Sequence, residues 1–111
     1  MNCEMEIKKV MKKIGITPEL NGYHYLEKCI IEVKKCFEEG KTPCSFYQMY
    51  KDVAKLFDVT PKSVERCMRH AKIVAETLRT DEFTYIFCNL RNIPLSAFIS
   101  IIAEYILIEN S

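Results

Sequence analysis

Val53-Ala54-Lys55-Leu56-Phe57-Asp58-Val59-Thr60-Pro61-Lys62-Ser63-Val64-Glu65-Arg66-Cys67-Met68-Arg69-His70 contains both a helix stop and a helix start. Thr60 is an N-cap followed by Pro61 at the first helical position, where a missing N–H is harmless, and Val59 and Val64 are spaced as a hydrophobic staple across that cap. Two helices crossing steeply after a short turn need a small residue at the crossing, which is Ala54. Asp58 sits in the turn and tolerates a left-handed backbone. Val59 is expected to plug the turn, with Val64 and Cys67 anchoring the second helix on the first. The stretch therefore reads as a helix-turn-helix over about residues 45–79, its recognition helix running over about 61–79.

The rest of the chain is punctuated in the same style. Glycine occurs only at 15, 22 and 40 and proline only at 18, 43, 61 and 94, each between segments with apolar residues at helical spacing. Ile7, Val10, Met11 and Ile14 define a first helix, Glu4 to Ile14, ended by a left-handed Gly15. Lys8, Lys9, Lys12 and Lys13 form its solvated face. A second helix, Gly22 to Glu39, aligns Leu26, Cys29, Ile30, Val33 and Phe37. A third, Ser45 to Phe57, starts on the Ser45 cap. The fourth is expected to bury Val64, Cys67, Met68, Ala71, Val74, Ala75 and Leu78. A fifth, Asp81 to Leu90, and a sixth, Ser96 to Ile108, complete an all-α, single compact six-helix domain over residues 1–111. The sixth is apolar almost all round, so it is either enclosed by the other five or shares a seam with a second copy.

Length and composition bound the function. At 111 residues, 49 % hydrophobic and 28 % charged, the chain resembles an ordinary globular domain rather than a disordered or coiled-coil one. It is too short for a second, sensory domain, so regulation is expected from a partner, oligomerisation or expression. No apolar run approaches the ~20 residues of a membrane span and no signal peptide opens the chain, so a cytoplasmic protein away from the membrane is expected. The six cysteines include no Cys-x-x-Cys pair. Cys29 and Cys36 stand seven residues apart on one helix, roughly 10 Å, too far for a disulfide. All six read as small buried residues of a reducing compartment. Cys67 with His70 is an i, i+3 pair without further ligands, Asp52 and Asp58 are helix and turn residues, and there is no Gly-rich phosphate loop. No catalytic site, metal or cofactor is therefore expected.

The net charge of +1 hides an asymmetry: residues 45–79 carry seven Lys/Arg against four Asp/Glu, and residues 80–111 carry one against four. A local basic stripe suffices to meet phosphates. On the fourth helix, Lys62, Glu65, Arg66, Arg69, Lys72 and Ile73 fall opposite the expected core stripe, with His70 at the edge. Arginine in the first turns of a recognition helix grips guanine O6 and N7 through its planar fork, and glutamate accepts from the cytosine amine. Lys62 and Lys72 suit phosphates.

At these residues the chain resembles the C-terminal DNA-binding effector domain of the stage-zero sporulation response regulator of endospore-forming bacteria. The resemblance is carried by Ile14-Gly15-Ile16, Gly22-Tyr23-His24-Tyr25-Leu26, Tyr50 through Lys55, Thr60-Pro61, Val64-Glu65-Arg66, Arg69-His70-Ala71, Phe98-Ile99 and Ala103. It implies six helices, the fourth entering the major groove of promoter boxes as paired or tandem copies. By position it implies base contacts from Glu65, Arg66, Arg69 and His70. Ser63 stands where the family has Arg, which removes or moves one contact, and it is grouped with Lys62 and Lys72 on the phosphates. Glu27 replaces a basic residue, and Asn92-Ile93-Pro94-Leu95-Ser96-Ala97 is one residue shorter and more apolar than the family's lead into the last helix. The regulator's phosphoacceptor domain has no counterpart here. The expected partners are double-stranded DNA, a second copy at least on DNA, and RNA polymerase. The alternative is a protein-interaction module, such as an antagonist, that kept the fold and lost specific DNA binding.

Overall fold

The structure, a computed structural model, describes residues 3–43 and 45–110. Its six helices are α1 (Cys3–Lys13), α2 (Tyr23–Glu38), α3 (Phe46–Phe57), α4 (Pro61–Leu78), α5 (Asp81–Phe87) and α6 (Leu95–Glu109), and no strand occurs among the described residues. Among the described residues three helices start on a side-chain cap: Ser45 accepts from the Gln48 amide at 3.2 Å, Thr60 from the Ser63 amide at 3.1 Å and Thr80 from the Phe83 amide at 3.2 Å. Each satisfies a donor that the first turn leaves unpaired. Helices α1 and α3 end alike. A left-handed residue, Gly15 (φ 94°) or Asp58 (φ 56°), lets the next amide reach back five residues, from Ile16 to the Met11 carbonyl at 2.8 Å and from Val59 to the Ala54 carbonyl at 2.9 Å.

One apolar cluster draws on all six helices. Helix α6 lies at its centre and packs chiefly on α2, burying Leu95, Phe98, Ile99, Ile102, Ala103 and Ile106. Enclosure by the other helices, one of the two arrangements open for this helix, accounts for most of its apolar surface. Phe87 stacks on Phe98 with centroids 5.2 Å apart, which fastens α5 to α6, and meets Phe83 of its own helix at a tilt, centroids 4.6 Å apart. The radius of gyration, 13.0 Å, is that of a well-packed chain of this length.

Several expectations need correction. Helix α5 stops at Phe87 rather than Leu90, because Cys88 (φ 55°) and Asn92 (φ 52°) turn the chain toward α6, which begins at Leu95 rather than Ser96. Val59 does not plug the turn: it is 36 % exposed, and what closes the turn is the backbone bond from its amide. Cys67 and Val74 are half-buried and Leu78 is exposed. The cysteines are not uniformly buried either: Cys29 is, Cys36 and Cys67 are half-buried, and Cys88 is exposed. Cys44 and the side chain of Cys3 lie outside the described residues.

Candidate nucleic-acid interface

Helix α3 and helix α4 pack on one another through Ala54, 2 % exposed, and the fully buried Val64. The cap at Thr60 and the left-handed Asp58 then fix the angle at which α4 leaves the turn. From the other side α2 begins directly against the backbone of α4: a Cβ placed on Gly22 would lie 2.4 Å from the Cys67 carbonyl oxygen. Helix α4 is thus clamped by α3 on one flank and by the start of α2 on the other, with its free face to solvent.

That face carries Lys62, Arg66, Arg69 and His70, all exposed, and between them Ser63 and Glu65, half-buried. Arg69 donates to Glu65 Oε1 at 3.1 Å, one helical turn back. Beneath this pair lies Tyr50 of α3, whose hydroxyl is pushed up to about 12 by burial first and then by Cys29 and Glu65, with Arg69 opposing. Glu65 thus holds the Arg69 guanidinium in place through Oε1, and among the described residues Arg66 makes no ion pair.

Lys72 is the departure. Only 8 % exposed, it donates to Glu76 at 3.1 Å and lines a recess of about 350 Å³ with Phe46, Tyr50, Ile93 and Leu95. Its expected place on the outer face is corrected by the packing. At about 100° per residue, the buried positions Val64, Met68, Ala71, Lys72 and Ala75 centre about 45° away from the expected seven-residue stripe, which had included Cys67, Val74 and Leu78. The solvent face turns by the same amount, toward His70, and Glu65 moves to the flank. The sequence reading also passed over Glu76, although a glutamate four residues after Lys72 is the spacing at which helical neighbours pair.

The other distinctive acid, Glu27, is buried on α2 beneath Lys8 of α1, whose Nζ lies 3.6 Å from Oε2, and beside His24 Nδ1 at 3.9 Å. It ties α1 to α2. Among the described residues no three of His, Cys, Asp or Glu gather as a metal set, and no helix is long and apolar enough to cross a membrane.

The family model described as "Sporulation initiation factor Spo0A C terminal" matches residues 7–106, a span that takes in the clamp, the turn and the whole of α4. A match over 100 of the 111 residues, taking in α2 to α5 whole and most of α1 and α6, leaves one assignment: the chain belongs to the Spo0A C-terminal family, the DNA-binding domain of a sporulation transcription factor.

Proposed function

We propose that the protein is a sequence-specific transcriptional regulator that lays α4 in the major groove of duplex DNA. One observation carries this: the single face of α4 left open by α2 and α3 is the one that presents Lys62, Arg66, Arg69 and His70 to solvent. A helix of about 10–12 Å diameter fits the ~12 Å major groove, so side chains on such a face meet base edges. Arg66 and Arg69 supply planar forks for guanine, Glu65 an acceptor for the cytosine amine, and His70 a further edge contact. Lys62 and Ser63, beside the N-terminus of α4, face the backbone phosphates. Lys72, enclosed and paired with Glu76, is left out of the contact set.

Binding to random duplex DNA as a function of salt, followed by selection of a preferred site, tests this. A steep loss of affinity with salt is expected, since each phosphate contact releases counterions. Arg66→Ala should then cost about 1–3 kcal/mol on the preferred site and much less on random DNA. Equal affinity of Arg66→Ala and the parent for that site would show the base contacts to be misassigned. No binding even at low salt would instead favour a protein-interaction module that kept the fold. RNA polymerase is the machinery through which a bound regulator would act.

A further inference from the structure

Near the middle of the open face of α4, among its cations, stands an isoleucine. The direction opposite the buried positions Val64, Met68, Ala71, Lys72 and Ala75 falls, at about 100° per residue, within about 25° of Ile73. Ile73 is 50 % exposed. Lys62 and Arg69 lie to one side of it and Arg66 and His70 to the other, all exposed. Arg66, Arg69, His70 and Ile73 are spaced i, i+3, i+4, i+7, the set through which a long recognition helix meets base edges in the major groove. The longer side chains nearby are drawn off to the flanks: Arg69 bonds to Glu65 and Lys72 to Glu76, each at 3.1 Å. Thr77, the next exposed residue along this face, is short. A single apolar residue on a protein surface is ordinary; on the face that meets base edges it has a chemical consequence, because the thymine 5-methyl is the apolar group that those edges present.

We infer that Ile73 is a specificity-determining residue that packs on the 5-methyl group of a thymine, which rests on the reading of α4 given above. Isoleucine carries no donor or acceptor. Set against guanine O6 and N7, or against the amine of cytosine or adenine, it would strip water from a polar group and return no bond. Against a thymine methyl it buries apolar surface on both partners. Ile73 stands seven residues beyond Arg66, about 10 Å along the helix axis, which at about 3.4 Å per base pair sets the thymine about three base pairs from the pair that Arg66 meets. The chain thus distinguishes an A·T pair at one end of its site by an apolar contact, while the arginines discriminate through hydrogen bonds at the other.

The test uses the intact chain and the selected site, with each thymine replaced in turn by deoxyuridine, which removes the 5-methyl and keeps the base pair and its O4 acceptor. One replacement, about three base pairs from the pair whose preference Arg66→Ala loses, should weaken the parent by roughly three- to fivefold, the worth of burying one methyl group. The same replacement should leave Ile73→Ala nearly unaffected. A control at another exposed apolar residue, Leu56→Ala on the groove between α3 and α2, should keep the parent's sensitivity. Site selection repeated with Ile73→Ala should relax that base pair alone, and its circular dichroism should match the parent's. If the parent and Ile73→Ala respond alike to every replacement, or the selected site holds no thymine at that place, the inference is overturned while α4 stands, provided that Arg66→Ala still loses its site preference. If Arg66→Ala keeps that preference while Ile73→Ala loses its sensitivity to uracil, the contact at Arg66 is misassigned and the one at Ile73 holds. A parent chain that binds no duplex at low salt overturns both.

Discussion

Gly22 shows how much one missing side chain decides. Its backbone is ordinary, φ −80° and ψ −4°, so conformation does not demand glycine; space does. An added Cβ would sit 2.4 Å from the Cys67 carbonyl oxygen and 2.9 Å from the Met68 amide nitrogen, backbone atoms of the recognition helix. At Gly15 the added atom would instead strike the end of the Leu78 side chain, which can swing away, and the cost there lies in the left-handed φ of 94°. Gly22→Ala is therefore expected to destabilise the fold by roughly 1–3 kcal/mol, because α2 or α4 must move as a body. Urea unfolding checks it, and a loss under about 0.5 kcal/mol, within the range of an ordinary surface change, would mean the two helices do not touch there. This demand was not legible in the sequence, where Gly22 reads only as the start of a helix, since its reason stands 45 residues away. Lys72 was misread for a related cause. A lysine defaults to solvent, and only the packing of α3 and the lead into α6 over it, with Glu76 as its partner, shows it enclosed.

Among elements, three buried or hydrogen-bonded acids, two of them at the junction of α2, α3 and α4, are held in their protonated forms to higher pH than in the unfolded chain. Cys29 of α2 lies 3.8 Å from the Met68 sulfur of α4, and burial, aided by Glu32, pushes its thiol from 9.0 to about 12. Tyr50 of α3 is pushed from 10.0 to about 12, chiefly by burial. Tyr105 of α6 is raised to about 12 as well, by burial and then by the bond it donates to Glu82 at 2.9 Å. For an acid whose pKa is raised on folding, the unfolded chain loses the proton first. The stabilisation is complete below the unfolded value and is lost as pH climbs toward the folded one. Urea midpoints are thus expected to stay level up to about pH 9, near the unfolded thiol, and to fall from there toward pH 12. Cys29→Ala should start from a lower midpoint but begin its fall nearer pH 10. Two curves that descend in parallel from the same pH would exclude the thiol as a contributor. The elements themselves were the most legible part of the sequence: caps at Ser45 and Thr60 and the stop at Gly15 are local chemistry. The end of α5 was not, because Thr84 through Leu90 keeps helical spacing and only the short path to α6 forces the turn at Cys88.

At the scale of the whole molecule, the surplus apolar surface of α6 no longer demands a partner. Leu95, Phe98, Ile99, Ile102, Ala103 and Ile106 are enclosed within one chain, and the remaining apolar residues of the helix are half-buried except Ile108, 60 % exposed. So small an uncovered remnant is typical of a monomer's surface, and the free protein is expected to sediment as one copy. DNA changes the geometry. One α4 reaches a few base pairs on one face of the duplex, whereas the next major groove on that face lies about 34 Å along. The longest dimension of the molecule is 34 Å, so a second copy fits in the next groove with its flank near the first. Two copies confined in this way gain from each other's presence through weak contacts that would not hold them together in free solution. Sedimentation of the complex with a duplex carrying two selected sites one turn apart should give two copies per duplex, with the second binding more tightly than the first. Moving the sites apart by half a turn should place the copies on opposite faces and abolish that gain. One copy per duplex at saturation would show that the chain reads DNA alone.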